Sequence, residues 1–331
     1  MAVEERGNFS EIPILDVSGL YAEDEAEAAD VAKTLRSYLE TIGFVYVAGH
    51  KVPQESIEAV REQAKRFHAQ PIEEKLKLKM DRNFRGYLGL NTSTIVTSSV
   101  TSVTKPNQSE SLMIMHEVAA DDPDALAGKP LQGPNQWPDE TYLPGFRKTI
   151  ETYVAQMTEL ARRMVAAIAT SLGMPAGSLD GYFEKPTTFL RLLHYPTQPA
   201  EDGLFGSAPH TDYGFITLLA QDDVGGLEVK NKDGHWVAAH PIPNTFVMNV
   251  GDILARWSND LFVSTPHRVI NRSGRERYSQ PFFFDPPMDC RIEALPPTVP
   301  AGSKPKYEPV IYGEYLMERI DKNYHYRKKA G

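Results

Sequence analysis

The sequence predicts a mainly β protein with flanking helices, its sheet core built as a barrel or a double-sheet jelly roll. Two observations carry this expectation. From Thr187 onward, short apolar runs are separated by turn signals such as Asp223-Val224-Gly225-Gly226, Asn231-Lys232-Asp233-Gly234 and Arg272-Ser273-Gly274, a spacing typical of all-β folds. Before Thr187 the apolar residues fall at helical intervals instead, most regularly between Gly145 and Leu172.

In chain order, Ile12 to Val17 reads as a short strand with a proline near its start. Asp24 to Ile42 follows as a helix with Val31, Leu35, Leu39 and Ile42 on one stripe, and Gly43 stands where a C′ glycine would end it. Gly43 to Val47 is β-branched and aromatic, a strand. A second helix runs from about Pro53 to His68, with Ile57, Val60, Ala64 and Phe67 as its apolar face. The Ser- and Thr-rich stretch Asn91 to Thr104 reads either as a β-rich pair or as a polar mobile cover over an active site, with Thr92 to Thr104 as the candidate lid. Asp121 to Tyr142 is loop. In the long helix Phe146, Ile150, Tyr153, Met157, Leu160, Met164, Ile168 and Leu172 form a stripe suited to bracing a sheet. Tyr312 to Ile320 is again helical. With no linker-like segment, the expectation is a single domain, 1–331. Residues 1–185 would wrap a β core at 186–295, and 296–331 would form a C-terminal helix and tail.

The composition narrows the function. The chain has 331 residues, 41% of them hydrophobic and 24% charged, and a formal charge of −9, which leaves no basic excess for nucleic acid or an anionic membrane surface. Arg327-Lys328-Lys329 reads as a solvated tail. The single cysteine, Cys290, excludes an intrachain disulfide and any cysteine-rich zinc or iron–sulfur centre. Met1 to Ser10 holds no apolar core of signal-peptide length, and no apolar run reaches the roughly 18 residues of a membrane span, so a cytoplasmic location is expected.

The chemistry concentrates around Ala208-Pro209-His210-Thr211-Asp212-Tyr213-Gly214. On a strand, His210 and Asp212 would project to the same face. An imidazole and a carboxylate so placed form two-thirds of the 2-His-1-carboxylate set that holds Fe(II) and leaves positions open. His267, in Val263-Ser264-Thr265-Pro266-His267, is the candidate third ligand. Downstream, Arg277 and Ser279 share a strand face within an apolar setting. A guanidinium there would be costly without a partner, so the pair reads as a receptor for a ligand carboxylate.

In this order and spacing, His210-Thr211-Asp212, His267 and Arg277-Tyr278-Ser279 resemble the Fe(II)/2-oxoglutarate-dependent dioxygenases of the isopenicillin N synthase type. Ile12-Pro13-Ile14-Leu15-Asp16, Gly43 to Pro53, Arg85-Gly86-Tyr87, Gln221-Asp222, Gly225-Gly226-Leu227 and Asn249-Val250-Gly251-Asp252 are similar to further signposts of that family. The resemblance implies a double-stranded β-helix core of jelly-roll, cupin-like type, with iron held by His210, Asp212 and His267. It also implies that Arg277 and Ser279 bind the distal carboxylate of 2-oxoglutarate, assisted by Tyr195. The chain departs from the pattern at Leu193, where many plant members carry Asn, and at Lys51, so that His50 gains no ligand role. The implied activity couples oxidative decarboxylation of 2-oxoglutarate to hydroxylation, desaturation or cyclisation of a small organic molecule, with dioxygen as co-substrate and ascorbate as a candidate reductant. Phe283, which shares parity with Arg277 and Ser279, is a candidate pocket residue, as are Tyr213, Phe215 and Trp257. The other readings are an Fe(II) oxidase of the same fold that does not consume 2-oxoglutarate, and a non-catalytic jelly-roll binding protein. The protein is expected to be a monomer or a small homo-oligomer.

Overall fold

The structure, a computed structural model, describes residues 8–197, 201, 203–324 and 327. Met1 to Gly7, and Lys328 and Lys329 of the basic tail, lie outside the described residues. The N-terminal half contains β1 (Ile14–Asp16), α1 (Glu25–Thr41), β2 (Phe44–Ala48), α2 (Gln54–His68), α3 (Ile72–Leu76), β3 (Gly86–Leu88), β4 (Glu110–Met115), α4 (Pro123–Leu126) and α5 (Phe146–Ser171). The second half contains β5 (Thr187–Tyr195), β6 (Ser207–His210), β7 (Ile216–Gln221), β8 (Leu227–Lys230), β9 (Trp236–Ala238), β10 (Phe246–Val250) and α6 (Asp252–Trp257). It ends with β11 (His267–Val269), β12 (Arg277–Asp285), β13 (Arg291–Ile292), β14 (Val310–Ile311) and α7 (Tyr312–Asn323).

Among the described residues the strands form an eight-stranded sheet ordered β1-β2-β10-β7-β12-β5-β4-β3 and a four-stranded sheet ordered β6-β11-β8-β9, neither closed on itself, with β13 and β14 paired separately. This is the jelly-roll arrangement the sequence predicts. One aspect differs. Strands β1 to β4 of the N-terminal region join the larger sheet at both ends, so that region extends the core as well as wrapping it. Strand β4 is not visible in the sequence because all six of its residues are buried, leaving no polar–apolar alternation to detect.

Local chemistry explains the element ends. Asp24 caps α1, its carboxylate accepting from the Ala26 N–H at 2.9 Å. Gly43 then reverses the chain with φ +71°, and a Cβ there would come within 2.0 Å of the Val263 carbonyl oxygen, so both conformation and space demand glycine. Along α5 the expected stripe from Phe146 to Ile168 is buried, each large side chain contributing on the order of 1.5–3 kcal/mol by leaving water. The stretch Thr92 to Thr104 forms no strand pair. Only Ser93 makes an isolated bridge, to Tyr324 just past α7.

Candidate active site

Strand pairing sets the geometry of the site. In the smaller sheet His267 of β11 stands directly opposite His210 of β6, with ring centroids 4.3 Å apart. The sequence predicts Asp212 on the same strand as His210. The strand in fact ends at His210, and Asp212 lies just beyond it, where its backbone carbonyl accepts from the Asp252 N–H at 2.7 Å. Asp212 Oδ1 nevertheless lies 3.7 Å from the Nε2 of both His210 and His267.

The surroundings orient all three side chains. His210 Nδ1 lies 2.7 Å from the Ala208 carbonyl and His267 Nδ1 3.3 Å from that of Thr265. A carbonyl only accepts, so each Nδ1 carries the proton and each Nε2 turns a lone pair inward. Asp212 Oδ2 accepts from Thr217 Oγ1 at 2.6 Å and from Asn249 Nδ2 at 2.8 Å, which leaves Oδ1 free to face the imidazoles. Burial, reinforced by His267, pushes His210 down to about 4, so that ring is neutral at physiological pH. Burial opposes ionisation of Asp212, but the positive charge of His267 and His210 when they are protonated, with the bonds from Asn249 and Thr217, outweighs it and holds the carboxyl below its usual range. Two lone pairs and a carboxylate oxygen converge with no donor between them. This arrangement can hold a divalent cation.

A second convergent group, His68, Glu110 and His194, differs in kind. There the Lys75 ammonium lies 2.8 Å from Glu110, so the carboxylate already has its cation.

The inner face of the β5–β12 pair forms a floor beneath the triad. Its rungs set Arg277 opposite Tyr195, Ser279 opposite Leu193, Phe283 opposite Phe189 and Asp285 opposite Thr187. Arg277 is fully buried. Its Nη1 donates to Ser279 Oγ at 3.1 Å, its Nη2 donates to Gln221 Oε1 at 3.3 Å, and its guanidinium lies 4.7 Å from the Tyr195 ring centroid. Its Nε has no partner, and among the described residues no carboxylate pairs with it. A buried cation in that condition calls for an anionic ligand. Arg277, Ser279, Tyr195 and Leu193 share a cavity with His210, Asp212 and His267.

A second cavity meets the first at His210 and Asp212. Phe84, Ile95, Met113, Phe189 and Phe283 line it together with Asn107, Arg191, Tyr213 and Asp285, and α7 closes one side. Phe283 and Tyr213, two of the candidate pocket residues, are among its lining residues. Phe215 and Trp257 do not line either cavity. Both are fully buried on the other side of the turn, with Phe215 packed against Phe183 at 4.8 Å and Trp257 beside Phe215 at 5.8 Å. The reason is packing: Phe215 and Trp257 join a buried aromatic cluster around Phe183, which stacks on Phe284.

Sequence reasoning missed Thr217, Asn249, Asn107, Arg191 and Asp285. Asn249 stands within a quoted signpost and Arg191 shares strand parity with Tyr195, but the partner strand of each cannot be read from one chain. Gly214 carries a related signal: a Cβ there would sit 2.0 Å from Asp285 Oδ1, so the turn after Asp212 is packed onto that carboxylate.

Comparison with known proteins agrees with this geometry. Residues 186–286 match the 2OG-Fe(II) oxygenase superfamily, and residues 12–140 match the N-terminal region described as non-haem dioxygenase in morphine synthesis. The chain is 37% identical to the 2-oxoglutarate-Fe(II) type oxidoreductase hxnY of Emericella nidulans, over 94% of this chain and 90% of that one. It is 36% identical to homoarginine-6-hydroxylase 2-ODD-C23 of Glycine max, over 96% and 98% of the two chains. Among solved structures, a full-length Neurospora crassa protein in complex with alpha-KG and thymine superposes with a TM-score of 0.84 at 33% identity, covering 96% of this chain and 99% of that one. The chain belongs to the 2-oxoglutarate- and Fe(II)-dependent oxygenases of the isopenicillin N synthase-like type. It is an oxidoreductase whose cofactor is Fe(II), whose co-substrate is 2-oxoglutarate and whose substrate is a small organic molecule. No described helix is long and apolar enough to cross a membrane.

Proposed function

We propose that His210, Asp212 and His267 are the iron ligands, that Arg277 and Ser279 hold the distal carboxylate of 2-oxoglutarate with Tyr195 packed on the guanidinium, and that dioxygen is the co-substrate. The observation that carries this reading is the shared cavity. It joins three inward acceptor atoms at one end to a buried guanidinium without a counter-ion at the other.

Iron held by His210, Asp212 and His267 would supply the oxidising chemistry with dioxygen as the four-electron oxidant, two electrons coming from 2-oxoglutarate as it becomes succinate and carbon dioxide and two from the substrate. The chain's own residues bind, orient and exclude. Thr217 and Asn249 fix the Asp212 carboxylate, and the Ala208 and Thr265 carbonyls fix the imidazole tautomers. Gln221 and Ser279 hold the Arg277 fork in position for a two-oxygen anion. In the second cavity Phe84, Phe189 and Phe283 give an apolar wall that excludes water beside the triad. Asn323 of α7 donates to Thr97 Oγ1 at 2.8 Å and to Tyr213 Oη at 2.5 Å, tying the Thr92 to Thr104 stretch and α7 together over that cavity. These bonds support the cover reading of the stretch.

Succinate release from 2-oxoglutarate with added Fe(II) tests the reading. The expected result is turnover stimulated by a small-molecule substrate and abolished by Asp212→Ala. Stimulated turnover that survives in the Asp212→Ala protein would remove the ligand assignment.

A further inference from the structure

The substrate cavity has a guanidinium, Arg191, at one end and a buried carboxyl group, Asp285, at the other. Arg191 lines both cavities beside His210, its Nε donating to Ser111 Oγ at 2.9 Å, and among the described residues no carboxylate pairs with its guanidinium. Asp285 lines the second cavity alone, beside Asp212 and Gly214. Its Oδ1 accepts from the Phe215 N–H at 2.5 Å and its Oδ2 from Tyr312 Oη at 2.7 Å. A carboxylate offers about four acceptor sites, so two remain. No lysine or arginine among the described residues pairs with it.

The register fixes the distance between these groups. Asp285 stands opposite Thr187, and Arg191 follows four residues along β5, about 13 Å of strand at about 3.3 Å per residue. Between them Phe189 and Phe283 face one another edge to face, ring centroids 6.2 Å apart. The cavity thus has a cationic end nearer His210, an apolar aromatic middle and an acceptor end nearer Asp212.

Resting on the oxygenase reading above, we propose that the primary substrate is a small zwitterion of the basic amino-acid type. Its carboxylate sits on Arg191 and its cationic nitrogen on Asp285. Its aliphatic chain lies across Phe189 and Phe283, which brings a C–H bond beside His210 and Asp212.

Calorimetric titration of the full chain, loaded with Ni(II) in place of iron so that no probe is consumed, tests this. Binding of 2-oxoglutarate is measured first. The probes are then L-lysine and L-arginine, which carry both charges, hexanoate, which carries the anion alone, and hexylamine, which carries the cation alone. The amino acids are expected to bind at least about tenfold more tightly than either single-charge probe. Arg191→Met should weaken lysine and hexanoate about tenfold or more and spare hexylamine, and Asp285→Asn should weaken lysine and hexylamine by a similar factor and spare hexanoate. If Asp285→Asn fails to fold, because that side chain also anchors Phe215 and Tyr312, the hexanoate-against-hexylamine split in Arg191→Met decides alone. Absent 2-oxoglutarate binding would remove the oxygenase reading itself. With 2-oxoglutarate bound, the zwitterion proposal alone is overturned by no probe binding at millimolar concentration, by equal affinity for all four probes, or by equal losses for every probe in Arg191→Met.

Discussion

His210 and His267 occupy the same rung of the β6–β11 ladder, their rings 4.3 Å apart, so main-chain hydrogen bonding already brings two candidate metal ligands together before any metal binds. The third, Asp212, depends on side chains instead: Thr217 and Asn249 both donate to its Oδ2 and turn Oδ1 inward. The site is therefore pre-organised by two independent devices, and each can be removed separately.

Asp212→Ala removes the carboxylate and leaves two buried donors without an acceptor. Loss of stability of about 1–3 kcal/mol is expected, with the fold retained and metal binding lost. Metal content after loading, read beside circular dichroism and a urea transition, checks both halves. Asn249→Ala should be milder: the carboxylate stays, but metal affinity falls about 10- to 100-fold as its orientation loosens.

Arg277→Ala should cost about 2–5 kcal/mol in 2-oxoglutarate affinity, the usual cost of truncating one partner of a buried, hydrogen-bonded charge pair. Metal binding should not change, since Arg277 touches Ser279, Gln221 and Tyr195 but none of the triad. Metal titration and 2-oxoglutarate titration on the same variant separate the two effects.

Trp257→Ala tests the distinction between core and pocket. With the side chain buried against Phe183 and Phe215, the variant should lose about 3–5 kcal/mol of stability, seen in the denaturant midpoint, while its affinity for 2-oxoglutarate stays at the wild-type value. A clear change in that affinity at unchanged stability would return Trp257 to the site.

Acid stability should report on Glu110. Burial opposes its ionisation, but His194, His68, Lys75 and Tyr87 all stabilise the charged form, and together they hold the carboxyl well below its usual range. For an acid whose folded value is depressed, the stabilisation is complete above the unfolded value of about 4.3 and is lost progressively as the pH falls below it. Glu110→Gln should therefore be less stable than wild type at pH 7 yet lose less stability between about pH 5 and pH 3. Urea midpoints across that range check the sign.

Much of this is legible in the sequence because it depends on local rules. The α1 boundaries follow from Asp24 and Gly43, and the α5 stripe from its spacing. The site motifs are legible because His210 stands two residues from Asp212, and Arg277 two residues from Ser279. What escapes is what cross-strand pairing decides. Thr217, Asn249 and Arg191 gain their roles only from the strand beside them, and β4 has no alternating face to betray it. Phe215 and Trp257 show the converse, aromatic residues near the motifs that the turn after Asp212 and the short helix α6 direct into the core.

The most direct test of the oxygenase site is an anaerobic titration of the Fe(II)-loaded protein with 2-oxoglutarate, followed by the visible charge-transfer band of the chelated co-acid. The expected result is a saturable band in the wild type, absent in Asp212→Ala and displaced to much higher 2-oxoglutarate concentration in Arg277→Ala. A wild-type protein that takes up iron but gives no band, or an Asp212→Ala variant that titrates as the wild type does, would contradict it.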